Sequence, residues 1–176
     1  MSGSAATASV RRDALERLGD EVEETLYELR NLAHGVYPQV LVQAGVGPAL
    51  AAVARQSATP VRIRDAGVAR HSEAIEMTVY FCCLEGLQNA AKHAGPGATV
   101  TIALSEAEGR VCFCVDDDGA GFDPGTVERG AGLTNLGDRV AAVGGTLRIE
   151  TAPGCGTHVT DRIPIPADAG EDRSAR

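Results

Sequence analysis

Apolar and polar positions recur with two different periods along this chain, and the changes of period mark out its elements. From Asp13 onward, Leu15, Leu18, Val22, Thr25, Leu29, Leu32 and Val36 recur at alternating spacings of three and four. That is an a/d seam over about three heptads, and so narrow a stripe favours a partner helix. Leu26 widens the stripe, which keeps packing on the chain's own domain open. Gly35 and Pro38 stop this helix. The stretch LVQAGVGPALAAVARQS reads as a loop and a second helix, with Pro48 in its first turn and Val46, Leu50, Val53 and Ala54 inward. Val61 and Ile63 alternate with arginines after Pro60, the mark of a short strand. A third helix opens at His71 or Ser72 and runs to about Ala94.

The period then drops to two. Val100, Ile102 and Leu104 alternate with Thr and Ala; Val111, Phe113 and Val115 alternate with cysteines; SEAEGR between them makes a hairpin loop. Residues 116–132 are rich in Gly and Asp and too irregular for an element. LTNLGDRVAAVGG is a helix with Leu133, Leu136, Val140 and Val143 on one face, ended by Gly144 and Gly145. Leu147 and Ile149 mark a strand, APGCG a turn, and Val159 with Ile163 a last strand. Each strand has one apolar face, so helices cover one side of the sheet in a two-layer α+β arrangement. Residues 1–12 are small and polar and are expected to be disordered; 13–44 form the long helix and its loop; 45–166 form the main domain; 167–176 are a polar tail.

Composition narrows the function classes. The chain has 176 residues and a formal net charge of −8 with no basic cluster, which argues against nucleic acid as a partner. An anion would have to be held by backbone amides, a few bases or a metal ion. No apolar run reaches the length of a membrane span, and the first residues hold no apolar signal-peptide core, so this segment is expected in the cytoplasm without membrane contact. Five cysteines, with no C-x-x-C, point to reduced thiols rather than a disulfide framework or a zinc site. Cys112 and Cys114 share one strand face.

The third helix carries mixed signals. At about 100° per residue, Tyr80, Leu84, Leu87 and Ala91 fall on one side, and Glu85, Asn89, Lys92 and His93 on the other. On the helix alone, a ligand-holding face and a solvated one look the same. The glycines tip the balance. DDDGAGFD, residues 116–123, follows a strand, and Asp118, Gly119 and Gly121 are read as a unit of the D-x-G-x-G kind. Its glycines permit a flat ligand to approach, and its acid can accept from an amine. GAGLTNLGDR, residues 130–139, puts two glycines before a helix, where free N–H groups favour phosphate. GCGT, residues 154–157, adds a Gly–Thr turn. No P-loop, dinucleotide fingerprint or protein-kinase signature is present.

In this order the motifs resemble the ATP-binding domain shared by sensor histidine kinases, Hsp90-type chaperones, type II topoisomerases and mismatch-repair ATPases. EGLQNAAKHA resembles the histidine-kinase N-box, DDDGAGF the G1 box, GAGLTNLGDR the G2 box and GCGT the last Gly–Thr turn. The lead-in LYELRNLAHGVYPQVLVQAGVGPAL resembles the end of the dimerisation domain in the nitrate-sensor-like subfamily. The resemblance implies the Bergerat ATP-binding fold, a two-layer α/β sandwich, preceded by a dimerisation helix. It implies that Asn89 ligates Mg²⁺ bridging the ATP phosphates, and that Glu85 supports the metal or polarises the attacking group. Lys92 and His93 would lie near phosphate oxygens. Asp118 would accept from the adenine amino group, with Gly119 and Gly121 letting the base lie close. Gly130 and Gly132 would hinge a lid, with amides of Gly132 and Leu133 facing the phosphates, and Thr157 would help bind adenine.

The activity implied is ATP-dependent phosphorylation of a histidine on a dimerisation helix, in a homodimer, with relay to a response regulator. The subfamily's acceptor-histidine motif is missing: His34 falls at an outward heptad position, and His71 and His158 read as surface residues. The chain is therefore expected to be part of a longer kinase. The alternative is a stand-alone serine kinase of the same ATPase family that sequesters a sigma factor.

Overall fold

In a computed structural model of the chain, the described residues are 38–125 and 131–166. The predicted long helix over 13–34, His34 within it, Gly130 and the tail lie outside them. The order is α1 (Gln39–Ala44), α2 (Val46–Gln56), β1 (Val61–Asp65), α3 (Glu73–His93), β2 (Val100–Ala107), β3 (Arg110–Asp117), α4 (Ala131–Ala142), β4 (Thr146–Thr151) and β5 (Thr157–Pro164). The five strands form one sheet in the order β1-β2-β3-β5-β4. β1 runs parallel to β2, and every other pair is antiparallel. This is the two-layer α+β arrangement expected from the one-sided strands.

Strand periodicity decides which face meets the helices. The ladder aligns Ile102 with Val115 and Val115 with Val159, and Leu104 with Phe113. All five are buried, together with Val100, Val111 and Ile163. The residues between them point to the face that none of the described helices covers. The outer strands carry charge: Arg62 and Arg64 on β1 are exposed, and Arg148 Nη2 on β4 meets Glu150 Oε1 at 2.7 Å. The hairpin is tighter than expected, since SEA belongs to β2 and the chain turns at Glu108 and Gly109, both at positive φ.

The loop expected at 41–44 is instead α1. Two contacts from distant sequence hold it. Leu41 is fully buried, and Arg70 Nη2 donates to the Val42 carbonyl at 2.9 Å, satisfying an end group that a six-residue helix leaves bare. Arg70 is aimed by the buried Glu76, with Nε at 2.7 Å from Oε1 and Nη2 at 3.1 Å from Oε2. The adjoining His71 is also not the surface residue expected: its side chain is 8% exposed and its Nε2 lies 2.6 Å from Glu106 Oε1.

All five thiols are free; Cys82 and Cys83 are fully buried on α3, Cys112 and Cys114 are half-buried on β3, and Cys155 is exposed. Burial pushes the Cys82 thiol up to about 12. Asp161 is the anomaly. It occupies an inward position of β5, between Val159 and Ile163, and is 2% exposed. Its Oδ1 accepts from the Thr146 amide at 3.1 Å, while its Oδ2 has no partner. Burial raises this carboxyl from 3.8 to about 6, partly opposed by the Arg162 and Thr146 amides.

An ionised Asp161 therefore costs the folded chain. Below the unfolded value both states hold the proton and the cost is absent; it is complete once pH passes the folded value near 6. Stability should fall as pH rises across that window. Asp161→Asn keeps the acceptor for Thr146 and should flatten this dependence, adding on the order of 2–3 kcal/mol near pH 8. Urea unfolding at a series of pH values checks it; parallel wild-type and variant profiles would contradict it.

Candidate functional site

Helix α3 is built to lie against the middle of the sheet. Ser72 stands at its N-cap position, Glu73 and Glu76 sit in its first turn and Lys92 and His93 in its last, each sign matched to the helix dipole. Gly86 allows the close approach: a Cβ there would stand 3.0 Å from Val115 Cγ1. The buried stripe runs through Ile75, Val79, Cys82, Cys83, Gly86, Leu87 and Ala90. The face expected from periodicity is rotated. Leu84 is only half-buried and Ala91 is exposed, and both line a shallow depression against Val53 and Gln56 of α2. Of the four polar residues read as a ligand-holding flank, Glu85 and Asn89 are half-buried, whereas Lys92 and His93 are exposed at the helix end.

The C-terminal end of α3 meets the first glycine loop directly. The Ala120 amide donates to the Ala94 carbonyl at 2.9 Å, and any Cβ on Gly119 would overlap Ala94. From the other side comes the Gly–Thr turn. The Gly154 amide donates to the Ala120 carbonyl at 2.6 Å, and the Phe122 amide donates to Thr151 Oγ1 at 3.1 Å. Thr151 Oγ1 in turn donates to the Gly156 carbonyl at 2.8 Å. Gly121 and Gly156 have φ of +57° and +70°. A side chain on either would run into backbone: Ala152 O for Gly121, Asp117 O for Gly156. Loop 118–121 is thus clipped between the end of α3 and turn 154–157, and Thr157 lies beside Asp117 across the β3–β5 ladder.

Two adjacent acids stand at the root of this loop. The D-x-G-x-G spacing belongs to Asp117, Gly119 and Gly121. Asp117 ends β3 on the helix-facing register of Val111, Phe113 and Val115, is half-buried, and its Oδ1 accepts from the Gly119 amide at 3.0 Å. Asp118 is exposed, and its Oδ1 accepts from the Thr99 amide at 2.5 Å. His158, read as a surface residue, is half-exposed and pairs with Asp116 across the strands.

The second glycine stretch is only partly described. Residues 116 and 117 belong to β3, and the helix begins at Ala131, so Gly132 and Leu133 lie in the first turn of α4 rather than in irregular chain. The N–H groups of that turn have no partner within the helix. Further along α4, the Arg139 guanidinium stands 5.0 Å from the centre of the Phe81 ring, a cation–π contact joining α4 to α3.

Comparison with known proteins agrees with this geometry. Residues 74–167 match the profile of the histidine kinase-, DNA gyrase B- and HSP90-like ATPase family. The chain is 29% identical to the signal transduction histidine-protein kinase/phosphatase UhpB of Salmonella typhimurium, over 89% of this chain and 39% of that protein. It is 30% identical to the sensor histidine kinase MctS of Rhizobium johnstonii, over 92% of this chain and 36% of the relative. The chain thus spans less than two-fifths of the length of either relative. Among solved structures, the histidine kinase domain of the Erythrobacter litoralis EL346 blue-light activated kinase superposes with a TM-score of 0.59 at 23% identity, covering 69% of this chain and 60% of that one.

The interlock of glycine loop and turn predicts a sharp contrast between two glycines. Gly156→Ala should cost about 3 kcal/mol or more, because strain at positive φ adds to a backbone clash. Gly154→Ala shares the positive φ, at +77°, but meets nothing within 4 Å, and should cost only about 1 kcal/mol. Denaturant midpoints measure the difference; equal costs would mean the loop and turn are not locked together.

Proposed function

Because the chain belongs to the histidine kinase-, DNA gyrase B- and HSP90-like ATPase family, we propose that it serves as the ATP-binding catalytic domain of a sensor histidine kinase. In this reading it binds Mg·ATP and passes the γ-phosphate to a histidine on a dimerisation helix, for onward transfer to a response regulator by a homodimeric protein. The observation that carries the reading is the clipped loop 118–121, with Asp117 and Thr157 side by side at its root and the half-buried Asn89 on the helix that ends against it.

Each residue has a task that suits its chemistry. The Asp117 carboxylate accepts a hydrogen bond from the adenine amine, which takes the role first read for Asp118; Asp118 instead braces the rim through Thr99. Gly119 and Gly121 leave a flat backbone for the base, and the Thr157 hydroxyl completes its polar edge. Mg²⁺ prefers oxygen donors, so the Asn89 side-chain carbonyl and the Glu85 carboxylate fit it, whereas the buried thiols do not. When bound, the ion neutralises charge that builds on the phosphates during transfer. Lys92 and His93, at the exposed end of α3, reach the phosphate oxygens. Gly130 lets the lid turn, and the amides of Gly132 and Leu133, opening α4, offer donors to the same anion. In the transfer the bond between the γ-phosphorus and its bridging oxygen breaks, a bond to the acceptor imidazole forms, and the imidazole proton leaves through Glu85.

Calorimetry on the folded chain tests this directly. Mg·ATP should bind with a Kd on the order of 10 μM. Asp117→Asn should weaken binding at least about tenfold, and Asp118→Asn by no more than about twofold. Asn89→Ala should remove the Mg²⁺-dependent part alone. Absence of nucleotide binding by folded wild-type protein would overturn the reading, and the reverse order of the two aspartates would return the adenine contact to Asp118.

A further inference from the structure

The sheet face that none of the described helices covers carries chemistry of its own. The β3–β5 register pairs Asp116 with His158, and Cys114 lies two residues before Asp116 on the same side. Cys114 Sγ is 3.3 Å from Asp116 Oδ2 and 3.7 Å from His158 Nδ1. His158 Nδ1 meets Asp116 Oδ1 directly. All three residues are half-buried, and one ligand atom from each lies within 4.8 Å of the others. A thiol, an imidazole and a carboxylate thus converge on one point, drawn from two adjacent strands of a rigid sheet.

We propose that Cys114, Asp116 and His158 form a binding site for a thiophilic divalent cation, with Zn²⁺ the ion that fits the donor set. Zn²⁺ takes thiolate, imidazole and carboxylate ligands at about 2.0–2.3 Å, which sets tetrahedral ligand atoms about 3.4–3.7 Å apart. The two edges from the sulfur, 3.3 and 3.7 Å, lie within about 0.1 Å of that range. The third, between imidazole and carboxylate, opens by small side-chain rotations. As the metal–sulfur bond forms, the Cys114 S–H bond breaks and its proton goes to solvent. The soft sulfur disfavours Mg²⁺ and Ca²⁺, so the site does not compete for the ion that accompanies ATP. Glu150, opposite His158 on β4, is held by Arg148, which leaves the fourth position to water.

The site stands independently of the nucleotide reading, yet it adjoins the same strand ends. Asp116 and His158 are chain neighbours of Asp117 and Thr157, whose side chains alternate to the opposite face. A cation there clamps β3 to β5 behind the glycine loop, so its first effect is on stability.

Titration of the whole chain with Co²⁺, followed by absorption, tests the proposal. One equivalent should produce a thiolate-to-cobalt charge-transfer band, and Zn²⁺ should displace it. The band should vanish in Cys114→Ser, weaken at least about tenfold in His158→Ala, and persist in Cys112→Ser and Cys155→Ser. Zn²⁺ should also raise the wild-type Tm, a readout that does not depend on how well the variants fold. No band and no Tm rise in the wild type, or a band that survives Cys114→Ser, would reduce the cluster to a cross-strand ion pair beside a thiol.

Discussion

Two stretches of backbone touch where β3 and β5 end, and the arrangement around the candidate site depends on that contact. Gly156 lies against the Asp117 carbonyl at a spacing no side chain permits, and Gly121 lies as tightly against Ala152. Main-chain hydrogen bonds then tie Ala120 to Ala94 on one side and to Gly154 on the other. A surface loop held this way has little freedom left, although it buries almost no apolar side chain. The glycines act here less by flexibility than by thinness: they let three segments share a space that side chains would fill.

The same economy of space runs through the core. Gly86 lets α3 settle onto Val115, which brings the end of the helix down to the level of the loop. The helix-facing strand residues are then committed to packing and the alternate ones are not, so each strand contributes to two chemically different surfaces. Asp117 and Thr157 belong to one, Asp116 and His158 to the other. Asp161 is the exception: a carboxyl at an inward register, with one oxygen left unpartnered, where its neighbours Val159 and Ile163 are aliphatic.

Much of this was legible from spacing alone. The period-two strands, the long α3 with Ser72 at its N-cap position and the one-sided sheet follow from local pattern, because each residue's neighbours in sequence are its neighbours in the element. What was not legible came from distance. α1 is helical because Leu41 finds the core and Arg70 reaches its end carbonyls from nearly thirty residues away. Leu84 and Ala91 fall off the core stripe because the N-terminal half of α3 is buried on most of its circumference, so a single apolar face is the wrong description of it. The three consecutive aspartates hid which one shares the helix-facing register, although the alternation of Val111, Phe113 and Val115 already pointed to Asp117. His71 and His158 look like surface residues in sequence because their acidic partners, Glu106 on β2 and Asp116 on β3, lie more than thirty residues away.

The two outermost strands have a consequence for the chain in crowded solution. β1 exposes Arg62 and Arg64, and β4 exposes the Arg148–Glu150 pair, so among the described residues both margins of the sheet present charged side chains. A second molecule adding a strand at either margin would have to bury those charges, which disfavours edge-to-edge growth and amyloid-like stacking.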